Sequence, residues 1–229
     1  MQLRPESENY LEKSREWPLP RKRAAGREAF YRRAGKRILD VSCAVGGLVL
    51  LAPLFLVVTV LLKLTSSRPV LFRQPRVGRK GRIFLLVKFR SMVDASGSDG
   101  PSITVLGDSR VTRLGAWLRR CKIDELPQLW NVLRGEMSLV GPRPEVEPYV
   151  AEYTHKQRRV LEVRPGITDP ASIAYRHEEK LLAVHADPEG FYRTTVLPHK
   201  LSLNLEYIEN ISFRRDVSLI LRTLRSIIS

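Results

Sequence analysis

The sequence predicts an α-rich α+β chain in which a Pro-broken, re-entrant membrane helix precedes a helical domain with a small β-hairpin. Three observations carry this. Between Asp40 and Lys63, 22 residues (41–62) bear no charge, and Pro53 stands in their middle. Two short apolar runs flank the turn sequence Gly78-Arg-Lys-Gly81, the pattern of a hairpin. From there to Ile228 the apolar residues fall mostly at helical spacing, punctuated by proline and glycine pairs.

The chain has 229 residues, 43% hydrophobic and 28% charged, which excludes wholesale disorder and suffices for a core without disulfide staples. Thirty-nine Lys and Arg against 24 Asp and Glu give a net charge of +15. That excess suits an anionic membrane surface, phosphorylated substrates or nucleic acid. Two cysteines, Cys43 and Cys121, exclude a disulfide scaffold and a multi-cysteine metal centre. Cys121 reads as a small buried residue. The four histidines lack metal-ligand spacing, and the chain contains neither a Walker A loop nor Gly-x-Gly-x-x-Gly. Three segments follow: a basic N-terminal arm at 1–35, the re-entrant helix at 36–65, and a cytoplasmic, membrane-associated domain at 66–229.

The arm is polar, turns helical toward Arg27–Arg37, and carries the basic cluster Arg21-Lys22-Arg23, a solvated face or a contact for anionic head groups. The uncharged stretch would be about 33 Å long as a helix, enough to cross a hydrocarbon core. It starts too late and runs too long for a cleaved signal peptide. Pro53 removes a helix hydrogen bond, and the chain is expected to bend at Ala52-Pro53. Both flanks are basic: Arg21–Arg37 holds eight Lys/Arg and one acid, Lys63–Arg90 nine and none. The positive-inside rule puts both on one side, which a helix entering and leaving by the same face satisfies. A single span with one misplaced flank is the other reading.

Pro69–Gln74 and Ile83–Val87 read as the two strands, and 95–102 as a Gly/Ser-rich loop. Asp108 or Ser109 is expected to cap a helix over Val111–Arg120. A second helix is expected from Asp124 to Leu133, stopped by Gly135. Glu147–Leu161 reads as an amphipathic stretch and Pro165-Gly166 as a break; Leu201–Ile228 reads as a helical tail whose amphipathic stretches could pack within the fold, lie on the membrane or pair with another copy in a homodimer. Trp117 and Trp130 suit a core or a membrane interface.

Three groups could carry chemistry. Asp124-Glu125 precedes Leu126-Pro127; a carboxylate at a helix start stays ionised and suits a nucleophile or a magnesium ligand, or simply caps the helix. Lys88 and Arg90 share one face if the strand continues and could neutralise a diphosphate, or form a solvated strand end. Pro142 and Pro144 restrict the backbone around Arg143, aiming its guanidinium at phosphate or merely shaping a turn.

The order of these pieces is more specific than any one of them. Lys36-Arg37 through Asp40, the Pro-broken helix, Pro69-Val-Leu-Phe-Arg-Gln-Pro-Arg-Val-Gly-Arg-Lys-Gly81 and Lys88-Phe-Arg-Ser-Met92 come in turn. Asp124-Glu-Leu-Pro-Gln-Leu-Trp-Asn-Val-Leu-Arg-Gly-Glu-Met-Ser-Leu-Val-Gly-Pro-Arg-Pro144 then follows. This closely resembles the bacterial sugar transferases, the small monotopic phosphoglycosyl transferases that act on polyprenyl phosphate. The likeness is strong from Lys36 to Pro170 and weaker in the tail, where Tyr207-Ile-Glu-Asn-Ile-Ser and Asp216 carry it.

The resemblance implies an enzyme of the bacterial inner membrane, its catalytic domain on the cytoplasmic face, that initiates surface glycan or exopolysaccharide assembly. A UDP-sugar gives its sugar-1-phosphate to undecaprenyl phosphate, releasing UMP, with Mg2+ as cofactor. Asp124 would be the nucleophile of a phosphosugar-aspartyl intermediate and Glu125 its metal-holding neighbour. Lys88, Arg90 and Arg143 would bind phosphate. The expected partners are the nucleotide sugar, the lipid acceptor and membrane lipids, with no nucleic acid. Two departures stand out. The family's helix break often reads Ser-Pro, here Ala52-Pro53. Many relatives continue Pro-Gly-Ile-Thr with Gly-Leu-Trp-Gln; here Thr168 leads into Asp169-Pro-Ala-Ser-Ile-Ala-Tyr-Arg176. Thr168, Asp169 and Arg176 are therefore candidates for a sugar or nucleotide pocket of this chain's own. The alternatives are a non-catalytic, basic, membrane-tethered binding protein and an inactive homologue.

Overall fold

Pro53 decides where the apolar segment bends. The computed structural model describes residues 27–93 and 103–228. Within them the segment forms two helices, α1 (Lys36–Leu50) and α2 (Ala52–Thr65), whose axes differ by 59°. Leu51 leaves helical geometry at φ −91°, ψ 2°, and Pro53 falls in the first turn of α2, where a missing N–H costs nothing. The ladder resumes at once: Leu51 N–H donates to Gly47 O and Phe55 N–H to Leu51 O, each at 2.9 Å. Among the described residues no single helix is long and apolar enough to cross a membrane, and this bent pair is the one candidate.

Before α1 the chain is already helical, at Arg27–Phe30 and through a π-turn at Tyr31–Gly35. Tyr31 is buried in the main core, so the structure shows no break at residue 35. The cluster at 21–23 and the stretch at 95–102 belong to segments outside the described residues.

β1 (Leu71–Val77) and β2 (Ile83–Phe89) form the expected hairpin, longer than anticipated, with Leu71 opposite Phe89 and Val77 opposite Ile83. Pro75 fits β1 because it lies at a position whose backbone N faces away from β2; Val77 N–H, on the same side, donates outward to Glu145 O at 3.0 Å. Next come α3 (Arg113–Arg120) and α4 (Gln128–Arg134). A second sheet was not anticipated: β3 (Ser138–Val140) pairs in parallel with β4 (Gly166–Thr168). Glu147–Leu161 is divided into short turns at Glu147–Ala151, His155–Arg158 and Arg159–Glu162. After α5 (Pro170–Ala174) and α6 (Glu178–Ala183), the tail forms α7 (Leu197–Glu209) and α8 (Phe213–Ile228), separated at Asn210.

Three clusters make the core. The largest joins α7, α8, Tyr149, Tyr192 and Tyr31. A second seats α1 on the domain through Ala44, Phe84, Leu129, Val132 and Met137. The third packs α2 on β2 and α3 through Val58, Leu62, Phe89 and Leu118. The opposite faces of α1 and α2 are bare: Val49, Leu50, Leu56, Val57 and Leu64 are exposed.

Polar links fix the N-terminal end of α1. Asp216 of α8, fully buried, accepts Tyr31 Oη and Tyr207 Oη at 2.6 Å each and pairs with Lys36 Nζ at 2.5 Å. The next residue, Arg37, donates to Val132 O at 2.7 Å and Leu133 O at 3.0 Å, closing the C-terminus of α4. Asp40 Oδ1 accepts Ser138 Oγ at 3.0 Å and Leu139 N at 2.9 Å. Burial pushes the Asp40 carboxyl above its usual range, against the pull of Lys36 and of these two donors.

Removing the acceptor from a buried ion pair strands its donors, at a cost of about 3–5 kcal/mol. Asp216→Ala is expected to lose stability on that scale in denaturant unfolding. The exposed Glu209→Ala should change it by less than about 1 kcal/mol. Equal losses in the two variants would mean that Asp216 does not anchor α1.

Candidate active site

The acidic pair sits on a turn, not on the helix start expected for it. Thr112, rather than Asp108 or Ser109, caps α3, its Oγ1 accepting Gly115 N at 2.9 Å; Asp108 instead holds Arg110, at 2.6 Å. α3 ends at Cys121, partly buried, and Lys122 then takes the left-handed conformation, φ 56°, ψ 18°. A side chain there costs about 1–2 kcal/mol, and the reversal turns the next residues inward. Ile123–Glu125 form a 3₁₀ turn, and α4 begins only at Gln128, after Pro127. Asp124 therefore stands in this turn, before the first residue of α4.

Asp124 is buried, and its Oδ1 has no hydrogen-bond partner among the described residues. Burial pushes its carboxyl above the usual range and the Glu125 charge adds to this; Lys122, Arg119 and Lys88 oppose it. Glu125 behaves in the opposite way. Burial would raise it, but Arg143, whose Nη2 donates to Glu125 Oε1 at 2.6 Å, holds it well below the usual range. Two adjacent carboxylates thus differ, one clamped by a guanidinium and one left with a bare oxygen.

The expected cations come from two places, the end of β2 and the loop after β3. Lys88 extends from β2 and lies over the Phe72 ring, 5.3 Å from its centroid. Burial, then the nearby Arg76, push its ammonium down to about 8, while both carboxylates pull it back up. Arg90 also stacks on Phe72, 5.5 Å away, and donates to Pro69 O at 2.9 Å. Arg143 is carried by a loop pinned on both sides. Gly166 N–H donates to Pro142 O at 2.9 Å and Arg76 Nη1 to Pro144 O at 2.9 Å. The crossing at Gly141 and Gly166 admits no side chain: a Cβ on Gly166 would stand 2.1 Å from Gly141 N.

Asn131 was not singled out in the sequence, yet it joins the two halves of the site. From α4 its Oδ1 accepts Val87 N at 3.0 Å and its Nδ2 donates to Leu85 O at 2.8 Å, completing the free edge of β2. Glu136 Oε2 takes the other proton at 2.7 Å. Lys88 follows Val87 directly, so this amide fixes the lysine relative to the carboxylate turn. A lone Asn in a helix carries no signal of that role.

Thr168 and Asp169 are buried in structural bonds: Thr168 to Thr223 of α8, Asp169 to Ser172 N and Oγ at 2.8 Å as the cap of α5. Asp169 also acts on Arg143 through its charge. Arg176 is exposed beyond α5. Trp117 and Trp130 are each about half exposed, which rules out core filling.

The donor set fits magnesium. That ion takes one or two protein carboxylates and completes its shell with water and substrate phosphate. Asp124 offers a bare oxygen beside Glu125, and among the described residues no set of three or more potential ligands competes.

Acid buried beneath several cations is the arrangement of proteins that handle phosphate, and a bent apolar helix pair beside it suits work next to lipid. The chain belongs to the bacterial sugar transferase family, whose model matches residues 31–229. It is 39% identical over 199 residues to the UDP-N-acetylgalactosamine-undecaprenyl-phosphate N-acetylgalactosaminephosphotransferase of Aeromonas hydrophila, covering 85% of this chain and 44% of that protein. It is 42% identical to the undecaprenyl-phosphate glucose phosphotransferase of Komagataeibacter xylinus, over 83% of this chain and 35% of the other. It is 38% identical to the UDP-glucose:undecaprenyl-phosphate glucose-1-phosphate transferase of Caulobacter vibrioides, over 85% and 70%. The chain thus spans less than half of the first two relatives.

Asn131→Leu keeps the branched shape and removes all three hydrogen bonds. We expect a loss of about 1–3 kcal/mol in stability, from unpaired Val87 N and Leu85 O. Amide exchange at Val87 should rise with it. Unchanged protection of Val87 would mean that the strand edge does not depend on Asn131.

Proposed function

We propose that the chain transfers a sugar-1-phosphate from a UDP-sugar to undecaprenyl phosphate, at the cytoplasmic face of a bacterial inner membrane, as the first step of a surface or secreted glycan. The observation that carries this reading is the asymmetry of the pair: Asp124 buried with a free oxygen, Glu125 tied to Arg143.

In the first half-reaction an Asp124 carboxylate oxygen attacks the phosphorus that bears the sugar. The bond from that phosphorus to the bridging oxygen breaks, and UMP leaves with the oxygen and its electron pair. In the second, an oxygen of the lipid phosphate attacks the same phosphorus. The Asp124–phosphorus bond breaks, giving the lipid diphosphate sugar and restoring the carboxylate. A carboxylate held above its usual range by burial is the stronger nucleophile once ionised. Lys88, Lys122 and Arg119 supply the positive surround that keeps it so and that a diphosphate needs to approach. Arg143 holds Glu125 and faces the phosphates as a planar clamp. Mg2+, held by Asp124 and Glu125, would add charge neutralisation.

The bent pair α1–α2 is read as dipping into one leaflet and leaving on the same side, which puts the carboxylate turn at the depth of a lipid phosphate. Ile123, one residue before Asp124, packs in the cluster that seats α2. A non-catalytic tether would have no use for a buried carboxylate with an unpartnered oxygen.

Asp124→Asn should lower UMP release by about a thousandfold or more, with folding and membrane binding retained, in nanodiscs holding undecaprenyl phosphate, magnesium and a panel of UDP-sugars. Near-normal turnover would remove Asp124 as nucleophile. Arg143→Ala should raise the KM for the nucleotide sugar about tenfold or more, the loss of one charge-assisted contact; an unchanged KM would take Arg143 out of the site. Tags placed before Lys36 and after Ile228 should both react only from the cytoplasmic side, and one reacting from outside would mean a span.

A further inference from the structure

Two acids and two guanidiniums stand together at the Arg143 loop, and the fold sorts them into pairs. Glu125 and Arg143 form one pair, at 2.6 Å. The other joins Glu145, buried, to Arg76 of β1, with Oε2 and Nη1 3.6 Å apart. Pro144 alone separates Arg143 from Glu145 in the chain. The backbone on either side of Arg143 is already held: Pro142 O by Gly166 N–H, Pro144 O by Arg76 Nη1, and Glu145 O by Val77 N–H. Those bonds leave open which guanidinium takes which carboxylate.

Glu145 is fixed from a second direction. Its Oε1 accepts Tyr192 Oη at 2.9 Å, a bond between two buried residues. Tyr192 opens the π-turn Tyr192–Val196 ahead of α7. Its ring lies 5.2 Å from that of Tyr149 and 5.2 Å from Lys200 Nζ, which pairs with Glu178 of α6 at 2.8 Å. Burial, with the Glu145 charge, pushes the phenol well above its usual range, so Tyr192 stays a donor. Arg76 reaches the same carboxylate from the hairpin. Its hydrogen bonds go to neutral acceptors, Gln74 Oε1 and Pro144 O, which leave its charge uncompensated. Burial lowers the Arg76 guanidinium from its ordinary value; Glu145 offsets this most, the neighbouring Arg143 adds to the lowering, and Glu125 is the other carboxylate within reach of its charge.

We propose that Glu145 is a positioning residue, with Tyr192 as its holder: it keeps Arg76 occupied, so that Glu125 and the donor's phosphates are left to Arg143. The inference rests on the reading of Arg143 as a phosphate clamp. Without the Glu145 charge, Arg76 would be a buried cation beside a second one, with no counter-ion of its own. Glu125 is the carboxylate it would then compete for. A guanidinium turned toward Glu125 displaces Arg143 from the geometry that the clamp needs.

The test titrates UDP with Mg2+ into the full chain in nanodiscs by calorimetry, and follows thermal unfolding of each variant beside it. Glu145→Gln keeps an acceptor for Tyr192 and removes the charge; Tyr192→Phe keeps the charge and removes its holder. Each should weaken UDP binding about three- to tenfold, the scale of coupling within one network. In an Arg143→Ala background the same changes should alter it by less than about twofold, because no clamp remains to be misplaced. Equal fold-losses with and without Arg143 would mean that Glu145 acts through the fold at large or on UDP itself, and would overturn the proposal alone. Unchanged binding in both single variants would overturn it too. Tyr192→Phe decides the matter if Glu145→Gln does not fold. If Arg143→Ala leaves UDP binding unaltered, or the unsubstituted chain does not bind UDP, the clamp reading falls and this inference with it.

Discussion

The arrangement depends on one buried carboxylate. Asp216 takes two tyrosine hydroxyls and a lysine ammonium, and through them ties the last helix to the foot of the first. Without such a joint, α1 and α2 would be held to the domain by apolar packing alone. With it, and with Arg37 on α4 and Asp40 on β3, the bent pair and the domain behave as one body. The links are polar because the apolar side of α1 is already divided. Ala44 faces the domain, and Val49 and Leu50 face outward. Packing alone would specify the direction of contact poorly; hydrogen bonds at Lys36, Arg37 and Asp40 pin the first turn of the helix.

The same economy builds the carboxylate turn. Lys122 in a left-handed conformation reverses the chain, Asn131 completes the edge of β2, and the Gly141–Gly166 crossing clamps the loop that bears Arg143. Each device acts chiefly on the backbone. The charged groups themselves are therefore left to face one another and whatever enters between them. Arg76 shows how far this goes. It directs its donors to Pro144 O and Gln74 Oε1, supporting the loop rather than the opening.

Much of this was legible in the sequence, for reasons that differ by element. The bend was, because a straight helix cannot pass a proline in the middle of an uncharged run without losing a hydrogen bond. The hairpin was, because its turn is spelled in glycine. Asp124, Glu125, Lys88 and Arg143 were found as charged residues in stiff or punctuated places, and the fold brings them to one spot. The start of α4 was not legible. Pro127 is tolerated in a first turn, but here the preceding residues close a 3₁₀ turn that Lys122 sets up, and a left-handed lysine leaves no mark in composition. The β3–β4 pair is three residues long on each side, too short for any periodicity. Thr168 and Asp169 stood out as departures from a pattern, and in the fold they make local bonds, with Arg176 apart on the surface. Asn131 was invisible because its work depends on a strand more than 40 positions away.

The Asp216 joint also has a history in time. Lys36 and Asp216 lie 180 residues apart in the chain. At the usual pace of synthesis, roughly 10 to 40 s separate the appearance of the lysine from that of its acid. For that interval the foot of α1 carries a positive charge with no partner, while the apolar pair is already complete and exposed. The closing of the fold thus waits for α8, and a ribosome that stalls before it leaves a chain whose greasy portion is finished and whose lock is not.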